Sequence, residues 1–312
     1  MVAQKIGFLF PGQGAQFVGM GKEPAAQFET VRKTYEEAER ILGLSLRRYC
    51  FEGPEETLNR TLYAQPAIFV TSLAFLSLFQ EKFPKLKPSF VAGLSLGEFS
   101  ALVAAESLSF SEGLKLVWIR AEAMEKAARE NHGAMVSILG LSQEECTDLA
   151  KESGAQLANL NAPDQFVLSG TESSVNRAAE LADPMGAKRV IRLKVTGAFH
   201  SSLMEPARQQ FTKALKKLSF QKPCCTFIPN ATGVKESNPE KIRLLLSDQL
   251  THPVRWIETM QYAKRQGVHR LIELGPGRVL KGLAKRIDPS LEVLSFEKGS
   301  DLETLESALV KV

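Results

Sequence analysis

The sequence predicts an α/β fold in which one large domain carries a small inserted one. Three observations support that prediction. Short runs of apolar, β-branched and aromatic residues alternate with longer segments whose apolar residues return every three or four positions, as strands alternating with helices do. Between roughly residues 130 and 196 the order of elements becomes βαββαβ, the order of a ferredoxin-like unit. The chain can also bury a sizeable core, since 44% of its 312 residues are hydrophobic and 24% are charged.

In chain order, residues 5–10 read as a short buried strand that stops at Pro11-Gly12, and Gly14, Gly19 and Gly21 mark the loop beyond it. Helical segments follow. Residues 89–93 form a second strand and run at once into Leu96, Phe99, Leu102 and Val103, whose spacing builds one helix face. Residues 112–130 are a helix with Leu114, Val117, Trp118, Ala121 and Met124 as its apolar stripe. The inserted unit then reads as strand 134–139, helix 143–151, strands 156–161 and 165–169, helix 173–181 and strand 189–195. The large domain resumes with helix 203–218 and strand 224–229. A last strand, 270–274, leads into Gly275-Pro276-Gly277 and another helix.

Composition excludes several classes. The longest apolar stretch, residues 67–79, is interrupted by Thr71, Ser72 and Ser77 and falls short of the roughly 18 apolar residues that a membrane span needs. The first residues lack the basic start and small-residue cleavage site of a secretory signal, so a cytoplasmic location is expected. Four cysteines, Cys50, Cys146, Cys224 and Cys225, include no CxxC spacing and signal neither a zinc site nor a disulfide framework. The formal charge of +4 is too small to argue for duplex nucleic acid, although it suits an acidic protein or a phosphorylated substrate. After Gly12 and Gly14 the third position of GxGxxG is Phe17, which argues against a dinucleotide loop.

Residues 93–97, Gly-Leu-Ser-Leu-Gly, fit GxSxG between a predicted strand and a predicted helix. In that setting a sharp turn lifts the Ser95 hydroxyl clear of the sheet. The flanking glycines let strand and helix approach, and the helix N-terminus faces developing negative charge. The Leu96 amide is then one donor of an oxyanion hole. A serine nucleophile needs a base, and the chain holds four histidines, His132, His200, His252 and His269. His200 is the favoured one. It sits in the loop Thr196-Gly197-Ala198-Phe199 before a helix whose Ser202 and Glu205 have capping-box spacing, a position that keeps the imidazole neutral.

These motifs, with Phe8-Leu9-Phe10-Pro11-Gly12-Gln13-Gly14-Ala15-Gln16 and Gly197-Ala198-Phe199-His200-Ser201, resemble those of malonyl-CoA:acyl carrier protein transacylases. Further matches are Arg120 within Trp118-Ile119-Arg120-Ala121, Asn161-Ala162-Pro163, Gln249-Leu250 ahead of Pro253-Val254, and Glu273-Leu274-Gly275-Pro276-Gly277. The resemblance implies an α/β-hydrolase-like large domain, residues 1–129 and 197–312, with a ferredoxin-like subdomain at 130–196. It implies transfer of a malonyl group from malonyl-CoA to the phosphopantetheine thiol of acyl carrier protein, in fatty acid biosynthesis. Coenzyme A enters as part of a substrate, and no cofactor or metal is expected. Ser95 is implied as nucleophile, His200 as base and the backbone carbonyl of Gln249 as the group that orients it. Gln13 and Leu96 would supply oxyanion amides, Arg120 would pair with the malonyl carboxylate, and Asn161 would line the site. The family usually places histidine before the nucleophile; this chain has Leu94.

By periodicity alone Arg120 reads as a snorkelling surface arginine beside the apolar stripe, and only the resemblance reverses that. Gly275-Pro276-Gly277 ahead of Arg278 reads as a plain turn before it reads as a phosphate site. A serine hydrolase or thioesterase would use the same nucleophile and base. A silent carrier-binding subunit would be expected to lose Ser95 or His200, and both are present.

Overall fold

The computed structural model describes residues 5–309, so the first four and last three positions of the large-domain span lie outside it. The strands among the described residues are β1 (Ile6–Phe10), β2 (Phe90–Gly93), β3 (Ala134–Leu139), β4 (Gln156–Ala162), β5 (Gln165–Gly170), β6 (Arg189–Arg192), β7 (Thr226–Phe227), β8 (Arg270–Leu274) and β9 (Glu292–Phe296). They form a parallel five-stranded sheet in the order β7-β2-β1-β8-β9 and a separate antiparallel four-stranded sheet in the order β4-β5-β3-β6. The mixed α/β architecture expected from the alternation of elements is therefore present.

The central position of β1 explains its sequence. All five of its residues, Ile-Gly-Phe-Leu-Phe, are buried, as a parallel strand covered on both faces requires. One covering layer is the helix Thr61–Lys82, which is apolar around almost its whole circumference. Its length and hydropathy would suit a membrane span, yet 83% of its most apolar window is buried inside the protein, so it is a core helix. Phe79 meets Phe8 of β1 edge-on at 5.1 Å between ring centroids, and Phe75 meets Phe296 of β9 at 5.0 Å. Each such fully buried phenyl ring contributes about 1.5–3 kcal/mol.

Several elements differ from the sequence reading, each for a local reason. β9 was not anticipated. It is an edge strand with only Val293 and Phe296 buried, and its sequence lacks a continuous apolar run. β6 ends at Arg192; Leu193 still donates to the Met135 carbonyl of β3 at 2.9 Å, and Leu193 to Val195 line the cleft described below. β7 keeps only two of the six residues read as strand. The helix read as 203–218 opens as a 3₁₀ turn, Ser202–Met204, before Glu205–Leu215. Ser201 rather than Ser202 caps that turn, and Glu205 bonds Arg208 at 2.7 Å, so the expected capping box does not form.

The two sheets are tied together close to the strand ends that matter. Leu160 of β4 donates to the Val254 carbonyl at 2.9 Å, and Val254 donates back to Ala158 at 2.8 Å. Gln156 holds the Ser202 amide at 2.9 Å and its hydroxyl at 2.8 Å. The antiparallel sheet thereby grips both the segment after Gln249 and the loop after His200. In the parallel sheet, the carboxyl ends of β1 and β2 release the chain at Pro11 and Leu94, on the edge where open α/β sheets bind ligands.

Candidate active site

Ser95 sits where β2 turns into the helix Gly97–Ala104, and the turn is tight enough to exclude side chains on either side. A Cβ on Gly93 would lie 1.9 Å from the Gly97 carbonyl carbon, and one on Gly97 would lie 2.1 Å from the Phe10 carbonyl oxygen. Ser95 itself adopts φ 50°, a left-handed backbone that costs a side-chain-bearing residue about 1–3 kcal/mol. The strain is held by two side chains. The Ser95 amide donates to Asn230 Oδ1 at 2.6 Å, and its carbonyl accepts from Gln249 Nε2 at 2.9 Å.

His200 comes from the loop beyond β6 and shares the left-handed conformation, with φ 57°. Its Nε2 lies 2.8 Å from Ser95 Oγ, and its Nδ1 lies 2.7 Å from the Gln249 carbonyl. A carbonyl oxygen only accepts, so Nδ1 carries the proton and Nε2 is left free to accept one from serine. Burial, and then the Arg120 guanidinium, push the imidazole down to about 4, which keeps it neutral near pH 7. The cause of neutrality is thus burial rather than the helix terminus suggested by the sequence. His132, His252 and His269 are all exposed.

Arg120 stands on the buried face of the helix Phe110–Glu130, between Leu116 and Val117 on one turn and Ala123 and Met124 on the next. Its exposure is 1%, which overturns the surface reading. Ser109 and Glu112 close a capping box at the start of that helix, which helps fix its position. Arg120 Nη1 donates to Gln65 Oε1 at 2.7 Å; Nη2 donates to Gln249 Oε1 at 2.8 Å and to Ser95 Oγ at 3.0 Å. Its Nε has no partner, and the guanidinium carbon lies 5.5 Å from the Phe99 ring centroid. Burial lowers its pKa to about 10, and the nearby Glu98 carboxylate opposes that shift.

These groups open onto a cleft of about 400 Å³. Ser95, His200 and Arg120 form its floor with Gln13, Leu94 and Phe199 around them, and Lys194 and Asn59 also line it. Leu94 therefore presents an aliphatic side chain where an imidazole was noted as the family habit. Gln13 is on the wall, and neither its amide nor that of Leu96 donates to another protein group among the described residues. Asn161 is not brought to the cleft. The pairing register of β4 shifts between Leu160 and Ala162, so the face that Asn159 presents to the cleft is not continued, and Asn161 is buried with an unpartnered Oδ1.

Sequence reasoning did not find Gln65, Asn230, or the parts played by the side chains of Gln249 and Glu98. The last was legible only as the residue that follows Gly97 in the nucleophile motif. Glu98 is fully buried. Its Oε2 accepts from Gln249 Nε2 at 2.6 Å and from the Asn230 amide at 3.1 Å, and burial pushes its carboxyl up to about 7 against those two bonds and Arg120. Elsewhere, the Glu273 carboxylate accepts from the amides of Leu280 and Lys281 at 2.9 and 3.0 Å. The helix start beyond Gly275-Pro276-Gly277 is thus occupied by the protein's own carboxylate, and the segment is a turn rather than a phosphate site.

The comparisons with known proteins agree with this geometry. The model of a family described as acyl transferase domain matches residues 7–288. The chain is 43% identical to the malonyl CoA-acyl carrier protein transacylase of Bacillus subtilis (strain 168) over 98% of its length and 96% of the relative's. It is 37% identical to the protein of that name from Escherichia coli (strain K12), over 95% and 97%. An acyl carrier protein S-malonyltransferase structure from Vibrio cholerae superposes with a TM-score of 0.93 at 38% identity, covering 97% of this chain and 100% of that one. A malonyl-transacylase solved with a type II PKS acyl-carrier protein superposes equally well, at 0.93 and 38%, over 98% and 100%. The chain belongs to the malonyl CoA-acyl carrier protein transacylase family.

Proposed function

We propose that this protein transfers a malonyl group from malonyl-CoA to the phosphopantetheine thiol of acyl carrier protein, in fatty acid biosynthesis, by way of an ester on Ser95. One observation carries the reading: Ser95 Oγ lies within hydrogen-bond reach of both His200 Nε2, at 2.8 Å, and Arg120 Nη2, at 3.0 Å. Nucleophile, base and a fork for a carboxylate thus meet at one point of one cleft. His200 takes the Ser95 proton as Oγ attacks the thioester carbonyl, while the Gln249 carbonyl steadies the imidazolium that forms. The amides of Gln13 and Leu96 receive the developing oxyanion. Coenzyme A then leaves as a thiol, taking the proton from His200, and the carrier thiol repeats the sequence in reverse.

Arg120 selects the acyl group. Its unpartnered Nε and its Nη2 form one edge of the guanidinium, the two-point fork that matches a carboxylate. The reaction so written draws on no cofactor, because every proton and bond is exchanged among Ser95, His200 and two thioesters. Asn159 takes the wall position that Asn161 was expected to fill.

The finer description of the fold belongs to the same reading. The large domain is α/β-hydrolase-like, supported by the strand–nucleophile–helix turn, and residues 130–196 are a ferredoxin-like insertion, supported by their βαββαβ order and antiparallel pairing. A cytoplasmic location is proposed with it. Initial rates at varied concentrations of both substrates test the mechanism. Parallel double-reciprocal lines are expected for a serine that serves donor and acceptor in turn, and intersecting lines would replace it with direct transfer.

A further inference from the structure

The geometry points to Glu98 as a positioning residue that holds nucleophile, base-orienting glutamine and selectivity arginine in one arrangement through a single carboxylate oxygen. The inference rests on the acyl-transfer reading above. The left-handed backbone of Ser95 is clamped at its amide by Asn230 and at its carbonyl by Gln249. Both clamps return to Glu98 Oε2, through the Asn230 amide and through Gln249 Nε2. Asn230 is locked further, because its Nδ2 donates to the Gly93 carbonyl at 2.7 Å. Among the described residues, no amide of its own helix donates to the Glu98 carboxylate. The two bonds it makes reach across 132 and 151 residues of chain, which a helix-terminus charge acting on its own dipole would not require.

Glu98 also sets which way the Gln249 amide faces. A glutamine amide has two donors and one acceptor oxygen, and here both Nε2 hydrogens are spent on acceptors, the Ser95 carbonyl and Glu98 Oε2. Oε1 is thereby turned to Arg120 Nη2, at 2.8 Å. Without the Glu98 acceptor only the Ser95 carbonyl still opposes a flip of the amide, and the flip would aim an NH₂ group at the guanidinium. Arg120 would then lose one of its anchors and its aim at the acyl carboxylate. The same residue's main-chain carbonyl holds His200 Nδ1, so displacement of Gln249 reaches the base as well.

Single-turnover acylation by malonyl-CoA and by acetyl-CoA tests this in wild type, Glu98→Ala and Glu98→Gln, with circular dichroism to confirm folding. In the alanine variant malonyl acylation is expected to fall by about tenfold to a hundredfold, the range for a lost bond to a charged group, and the malonyl-to-acetyl ratio should narrow about tenfold. The glutamine variant keeps a carbonyl oxygen for the two donors and should return the ratio to within about threefold of wild type. An unchanged ratio in Glu98→Ala, or a glutamine variant no better than alanine, overturns the inference. If Glu98→Ala does not fold, Glu98→Asp serves: its carboxylate is withdrawn by one methylene, and a ratio equal to wild type overturns the inference equally. Wild type that is not acylated by malonyl-CoA would sink the acyl-transfer reading instead, so the two failures are distinguishable.

Discussion

Replacing Arg120 with alanine removes a guanidinium that is 1% exposed and bonded to Gln65, Gln249 and Ser95 Oγ. A malonyl group seated on Ser95 would then bury its carboxylate without a partner. Breaking one side of a buried ion pair costs about 3–5 kcal/mol, which at about 1.4 kcal/mol per tenfold is a loss of hundreds to thousands in malonyl transfer. An acetyl group carries no carboxylate to strand. Two features of the site favour acetyl transfer in the variant: Ser95 Oγ loses a competing donor, and His200 loses the cation that helps depress its basicity. The acetyl rate should therefore hold or rise. Gln65 and Gln249 are left with unpaired buried oxygens, which costs about 1–3 kcal/mol each in stability and lowers the folded fraction. The ratio of malonyl to acetyl kcat/KM cancels that fraction, and Arg120→Lys should restore it only partly, since an ammonium lacks the planar fork. Equal losses in both activities would refute the reasoning and make Arg120 a structural residue.

The remaining expectations follow from the same contacts. His200→Ala should slow Ser95 acylation by roughly a hundredfold or more in stopped-flow assays, and near-normal rates in a folded variant would remove His200 as base. Because burial and Arg120 hold His200 down to about 4, below the ordinary histidine value, the acylation rate should stay level from pH 7 down to pH 5 and fall only toward its own titration. That profile is best recorded also in Glu98→Gln, which removes the neighbouring carboxyl raised to about 7; a midpoint near 6.5 in both proteins would contradict it. The same shift sets a stability trend. Between about 4 and 6.5 the unfolded chain binds the proton that folded His200 refuses, so His200 contributes stability that is lost as pH falls through this window, and denaturation midpoints should show it. Gly97→Ala places a methyl group 2.1 Å from the Phe10 carbonyl oxygen, and should lower stability by about 1–3 kcal/mol along with acylation, as urea titration would record.

Much of this was legible in the residues because the chemistry sits on local signals. The turn around Ser95 needs glycine at positions 93 and 97 for a steric reason, and βαββαβ was visible in the order of its short strand-like and helix-like segments. Arg120 shows where local pattern fails. Periodicity places it beside an apolar stripe, and only the tertiary partners Gln65 and Gln249, 55 and 129 residues away, explain how a guanidinium is kept in the core. The Glu98, Gln249 and Asn230 network was illegible for the same reason, since its members meet only after the sheet assembles. β9 escaped because an edge strand needs no continuous apolar run.

The most direct test of the central claim is intact-mass analysis of the protein after mixing with malonyl-CoA, followed by addition of acyl carrier protein bearing its phosphopantetheine thiol. The account predicts one added malonyl group, mapped by peptide analysis to Ser95, absent from Ser95→Ala, and discharged to the carrier thiol faster than to water. Malonylation that persists at the wild-type rate in Ser95→Ala, or discharge to water that the carrier does not accelerate, would contradict it.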